Sequence, residues 1–434
     1  MNNVGNQQFD FSSKIRNVLF GGMAIGVVAL ILGVLLDNSN NGYAQTWTNL
    51  LHNLVFFVGV SFISQFMYSA STTAYGGWFV GFKRVWEAMF GNLLVVGGLF
   101  VLIIVGGLLT GVHHIYEWAE PEALKDELIQ HKAGLLNKTV FAIASVGILL
   151  MWWFWGRKIR ENSVAEDTEG GLQRYTNLKW WTASFLPIGG FSSAFAIWFW
   201  LMSIDPHWFS TMFAWYATAS FLVTAMALTV LMLVFLKRMG YMQHITDEHM
   251  HDLGKYMFGF SVFWTYLWFS QFMLIWYCNN GEETVYFKTR MNEYWPMFVL
   301  NLLMNFVAPF LILIRNTAKR RTGIMVFTAI LLIVGHWLDF FQMIKPGVWT
   351  AMTEHAHTVA EHGVKAVEHT AEHGAEHSEA GIPLGFFFPG LTELFTFIGF
   401  LSFYAYLTLS NLAKASLVPM NDPYLEESYN HHVM

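Results

Sequence analysis

The chain has 434 residues, 55% of them hydrophobic and only 12% charged. A soluble domain carries about a quarter charged residues, so too little polar surface is left to keep a globule of this size in water, and a formal net charge of −6 offers nucleic acid no basic face. The single cysteine, Cys278, excludes an internal disulfide. With no CxxCH motif beside it, it also leaves a c-type haem or an iron–sulfur cluster without enough ligands on this chain.

A membrane-crossing helix needs about 20 mostly apolar residues. Ten stretches qualify in chain order: 18–36, 50–70, 90–110, 138–156, 181–202, 213–236, 254–278, 296–314, 323–344 and 390–410. The fold expected is therefore an all-α polytopic membrane protein. Residues 1–17 precede the first span as a polar segment, and no small-residue cleavage site follows the first apolar run, which reads as a retained span. Pro309, with Asn301 and Asn305 nearby, predicts a kink in the eighth span. Lys and Arg number sixteen on the side holding both termini and six on the other. The positive-inside rule then places residues 1–17 and 411–434 in the cytoplasm. Trp residues mark many span ends, as an aromatic belt does.

The longest outer connection, 346–389, differs in kind. Glu-His pairs recur at 354–355, 361–362, 368–369, 372–373 and 376–377, which stacks the histidines on one helical face. A polar surface arm is the first expectation. Weak metal binding or a pH-responsive contact is the second, because imidazole binds metals and titrates near neutrality.

Ionisable residues inside spans are expensive and so become functional leads. Span nine carries His336 and Asp339, with Gln342 three residues on; i, i+3 and i+6 share a face. Glu393 enters the outer end of span ten at a similar expected depth. These are the parts of a proton relay, or equally of a polar lock between helices. A second group emerges at the outer span mouths: His113, His114 and Glu117, then Asp205 and His207, then Glu282 and Glu283. Such groups can pass protons to water or simply be solvated. Along the cytoplasmic halves Gln65, Tyr68 and Thr72 share one face of span two, and span seven offers Ser270 and Gln271. Hydroxyls and amides of this kind order a water file or glue helices together. A membrane b-type haem needs two facing histidines at one depth. His336 reads as the only deep one, so no haem, flavin or metal is expected on this chain.

Two stretches are distinctive: Asp205-Pro-His-Trp-Phe-Ser-Thr-Met-Phe213, and FWTYLWFSQFMLIWYCNNGEET at residues 263–284. With RVWEA at 84–88, they resemble the F-subunit family of the bacterial alternative complex III, a quinol:cytochrome c oxidoreductase, within the NrfD/polysulfide-reductase membrane-anchor group. The resemblance covers about residues 18–415 and leaves out the Glu-His arm. It implies two four-helix bundles, spans two to five and six to nine, flanked by spans one and ten. It also implies a bacterial cytoplasmic membrane, lipid contact, and partners that carry the cofactors: an iron–sulfur protein, multihaem cytochromes c, an NrfD-like sister subunit and a terminal oxidase. The main quinol site belongs to the sister subunit, which leaves a menaquinone or quinol contact by this chain as a separate question. Three roles stay open: a redox-complex subunit that supports quinol oxidation and handles protons, a structural anchor for that complex, or a secondary transporter. A transporter is expected to break several helices at the midplane, and only span eight is interrupted.

Overall fold

A computed structural model describes residues 7–37, 43–367 and 385–432, with side chains described through residue 353 and again from 385. Lipid offers the backbone no hydrogen bonds, so each apolar run closes its own N–H and C=O groups as a helix. Ten helices are long and apolar enough to cross a membrane. Spans one to five are Ser13–Leu36, Ala44–Thr73, Val80–Thr110, Lys138–Glu169 and Leu172–Ile204. Spans six to ten are Thr211–Arg238, Asp247–Cys278, Trp295–Leu313, Thr322–Thr353 and Leu391–Leu412. Each expected stretch falls within one of these to a single residue. Among the described residues there is no strand, only an isolated bridge between Gln8 and Ser416. That bridge brings the two ends of the chain together on one face, here the terminal face; the opposite one is the distal face.

Several helices outrun the bilayer. Span four, with 32 residues, is about 48 Å long at the helical rise, against about 30 Å of hydrocarbon. It turns into span five through Gly170 and Gly171, whose φ angles of 63° and 79° are the left-handed values that glycine adopts without strain.

Spans two to five pack as one ring of four and spans six to nine as another. Span two is the central post. It contacts spans six and nine of the second ring as well as its own neighbours, and it is buried along nearly its whole length. Its closeness to span six depends on Gly59, where a Cβ would stand 2.1 Å from the Phe221 ring. Spans one and ten pair outside the rings. A Cβ on Gly26 would lie 2.5 Å from the Gly399 Cα, the close backbone approach that small residues permit between helices in lipid.

The eighth and ninth spans each take up a proline without ending there. Pro309 is taken up by a π-helical turn, Leu303–Val307, just before it, and the span continues as a helix through Leu313. Span nine does not end at the start of the expected outer loop. Its helix runs on to Val367 with Pro346 inside it. The side chains of the Glu-His repeat lie outside the described residues.

Candidate functional site

Asp339 is the polar centre of the second bundle. Its nearest neighbours along span nine, Leu338 and Phe340, are apolar, and its carboxylate is wholly buried. Four donors from the three other spans of the ring surround it. The Tyr216 hydroxyl and the Ser220 hydroxyl, at 2.5 Å, come from span six. The Trp264 indole N–H at 2.8 Å comes from span seven, and the Asn301 amide at 2.7 Å from span eight. The π turn contributes Asn305, whose amide donates to the Asn301 side chain and, at 3.0 Å, to the Gly335 carbonyl. π turns of this kind recur at functional sites. His336 Nδ1 stands 3.9 Å from Asp339, beyond hydrogen-bond reach, and neither ring nitrogen has another partner. A buried carboxyl group without hydrogen bonds is costly, and four donors supply them here.

From Asp339 a polar chain leads toward the distal face. Asn301 also donates to the Gln342 side-chain oxygen at 3.1 Å. Gln342 borders a narrow cleft with Tyr216, Gln271, Tyr286 and Arg290. The side-chain nitrogens of Gln271 and Gln342 are buried there without partners. The cleft holds about 10 Å³ of water-sized space, room for about one water.

Arg290 closes the cleft from the short helix Gly281–Asn292. The sequence reading missed it because it lies in a connecting segment, and its setting follows from Pro346. Proline has no N–H, so the carbonyl four residues back loses its helical donor. That carbonyl belongs to Gln342, and the Arg290 guanidinium donates to it at 3.2 Å, to Met343 O at 3.4 Å and to Tyr286 O at 3.0 Å. It also pairs with Asp205 at 3.3 Å. Burial pushes the Asp205 carboxyl above its usual range, and Arg290 draws it back. The guanidinium lies 3.4 Å over the Tyr286 ring, and Trp208 stacks on the other ring face at 3.9 Å. Asp205 and Trp208 belong to one distinctive motif, and Trp264 and Gln271 to the other. Both motifs thus meet around a single cleft.

The other candidates scatter. Glu393 is buried but bonds elsewhere: Gln45 donates to it at 2.8 Å, the Gly390 N–H at 3.0 Å, and Lys345 lies 3.8 Å away. Lys345 follows Asp339 by six residues, about 9 Å along the helix. Glu393 therefore forms a separate ion pair nearer the distal face, not at the depth of Asp339. His113 is buried, donates to Ile104 O at 2.8 Å and packs on Trp47; burial lowers its proton affinity. His114 pairs with Glu120 at 2.6 Å in solvent. Glu117 sits in the short turn Glu117–Ala119 nearby. His207 bonds Asp126 at 2.9 Å and, by that bond first, holds the Asp126 carboxyl below its usual range. Glu282 and Glu283 lie in the first turn of the Gly281–Asn292 helix.

The five water-file candidates do not form one path. Gln65 is buried in the first bundle with neither amide atom partnered, and the Thr72 hydroxyl is likewise unpaired. Tyr68 donates to Ser163 at 3.2 Å. Gln271 belongs to the distal cleft of the other bundle, not to a cytoplasmic half, and Ser270 is only partly buried.

Two buried groups escaped the sequence reading. His52, in span two, donates to Trp337 O at 2.8 Å and stacks on the Trp337 ring at 4.8 Å, so His336 is not the only membrane-buried histidine. On the terminal face Lys83 pairs with Asp422 at 2.5 Å and Glu166 at 3.3 Å, and Arg84 with Glu87 at 2.6 Å and Asp167 at 2.5 Å. Starting span three at residue 90 hid this network. The run KRVWEA, with Arg84 and Glu87 at i, i+3, was its available signal. No protein-family model matches the chain, and no curated protein matches it either.

Proposed function

We propose that this chain is a membrane subunit of a bacterial respiratory quinol-oxidising complex, in which the bundle of spans six to nine handles protons through Asp339. The observation that carries the reading is the Tyr216 hydroxyl, which bonds Asp339 and lines a water-sized cleft where two buried amide nitrogens have no protein partner. A hydroxyl can accept one proton while it gives up another, whereas the Asn301 NH2 group only donates, to Asp339 and to Gln342 alike; buried amide N–H groups without protein partners are where ordered water binds. Asp339 holds the proton, His336 lies beside it on the same helix, and Arg290 fixes the cleft mouth. Quinol chemistry is assigned to a sister subunit, as the resemblance implies. Placement in the bacterial cytoplasmic membrane, with the terminal face inside, is supported by the sixteen-to-six bias of Lys and Arg. Partners bearing iron–sulfur clusters and haem c follow from the resemblance of the two motifs that meet at this cleft.

A second reading has its own support. Four donors from three spans on one carboxylate are also what a helix lock requires, and on that reading the chain is a structural anchor. The membrane assignment to a redox complex is tested by purifying the chain through an affinity tag from its native membrane. Co-purification of haem c and quinol:cytochrome c reductase activity supports it. A pure preparation lacking both overturns it.

A further inference from the structure

Trp337 lies two residues before Asp339. At about 100° per residue the two side chains leave span nine on nearly opposite sides. Asp339 faces spans six, seven and eight, which supply its four donors. Trp337 faces span two, the post shared by both rings, and is wholly buried there. Span two meets it with three polar residues, Asn49, His52 and Asn53, all of them buried.

These residues grip Trp337 in three ways. A carbonyl only accepts, so His52 Nε2 carries the proton and donates to Trp337 O at 2.8 Å. The imidazole also stacks on the indole, with ring centroids 4.8 Å apart. The indole N–H in turn donates to Asn53 Oδ1 at 3.2 Å. The Asn53 NH2 group donates to Asn49 O and Asn49 Oδ1, both at 2.9 Å, which leaves its oxygen for the indole.

Packing alone does not require the hydrogen bond from His52. A phenylalanine there would stack on Trp337 as well. The imidazole instead leaves Nδ1 buried without a partner, and a buried polar atom with no hydrogen bond is costly. What histidine supplies that phenylalanine would not is the bond to Trp337 O. Stacked rings slide over one another, whereas a backbone carbonyl cannot turn without its helix. From the other side of span nine, Asn305 donates to Gly335 O at 3.0 Å. Two carbonyls two residues apart are thus held from opposite sides, which fixes the rotation of the helix about its axis. Side chains reach about 5–6 Å from that axis, so a rotation of about 10° shifts the carboxylate by about 1 Å. The bonds of 2.5–2.8 Å from Ser220, Trp264 and Asn301 do not survive a shift of that size unchanged.

We propose that His52 is a positioning residue of the Asp339 site. Its bond to Trp337 O, with Asn53 on the indole, sets the rotation of span nine that presents Asp339 to its donors. The first bundle thereby takes part in a site that it does not touch. The inference rests on the assignment of Asp339 as the proton-holding group and adds to it a residue from the other ring.

The test reads the infrared bands of Asp339 in the purified complex with isotope-labelled aspartate, identified as the bands that Asp339→Asn removes. Their frequencies report the hydrogen bonds to the carboxyl group. His52→Phe keeps the stack and removes the donor. It is expected to move these bands and to lower turnover per assembled complex by up to about a hundredfold, the scale of a 1 Å misplacement. His52→Gln, whose amide N–H reaches about as far as Nε2–H, should return both toward wild type. Trp337→Phe removes the indole N–H; it is the second variant if His52→Phe does not assemble, and should move the same bands. Unmoved bands in His52→Phe, or in Trp337→Phe where that variant stands in, overturn the proposal whether or not turnover falls, since His52 would then not act through Asp339. The bands are read independently of turnover. Normal turnover in Asp339→Asn would therefore sink the proton assignment alone, and unmoved bands the positioning role alone.

Discussion

Arg290 shows how one side chain can set a local structure that sequence alone leaves unexplained. Pro346 breaks the helical hydrogen bond to Gln342 O, and Arg290 replaces it while pairing with Asp205. Hydrogen bonds to a charged group contribute about 1.5–3 kcal/mol each. Arg290→Gln should therefore lower thermal stability of the purified protein by an amount in that range. In a Pro346→Ala background the residue 346 N–H can bond Gln342 O again, so Arg290→Gln should cost less there; the share due to Asp205 remains in both backgrounds. A double-mutant cycle by thermal melting checks this, and strictly additive effects would contradict it. Asp339 and His336 were visible in the sequence because a charge in an apolar run is conspicuous. Their partners were not: Tyr216, Ser220, Trp264 and Asn301 read as ordinary span residues until the ring brings them to one point.

At the scale of elements, hydropathy located the spans because a lipid environment demands self-satisfied helices of fixed length. It could not show where helices continue beyond the lipid, as span nine does past Pro346, nor that KRVWEA is buried, because burial there comes from the C-terminal tail through Asp422. The pairing of spans one and ten is an element-level contact with a sharp requirement. Gly26→Leu places a side chain where the Gly399 backbone lies. Overpacking costs typically 1–3 kcal/mol, so the melting temperature should fall, while turnover per assembled complex stays unchanged because span one packs mainly on span ten, outside the Asp339 ring. Loss of turnover at normal assembly would show that the pair reaches the site.

At the scale of the whole molecule, ten spans return both termini to one face, where Gln8 meets Ser416. The Lys and Arg asymmetry predicts that this face is cytoplasmic. A reporter fused after Met434 should be active only inside the cell and one inserted near Glu122 only outside; the reverse pattern would overturn the orientation. Deleting residues 354–379 should leave assembly and turnover close to normal, since that stretch is hydrophilic in sequence and outside the ten spans; a complex that assembles without activity would count against it. The fold class was legible from composition and apolar runs, whereas the distal cleft was not, because it depends on two motifs 50 residues apart meeting across the ring. The central claim is that Asp339 works and does not merely lock. Its most direct measurement is quinol-driven turnover with proton release in the assembled complex carrying Asp339→Asn, which keeps shape and most hydrogen bonding while removing titration. Normal assembly with turnover reduced at least about a hundredfold, the low side of what a positioned proton-transfer group contributes, is the predicted result. Normal assembly with unchanged turnover and proton release would contradict it.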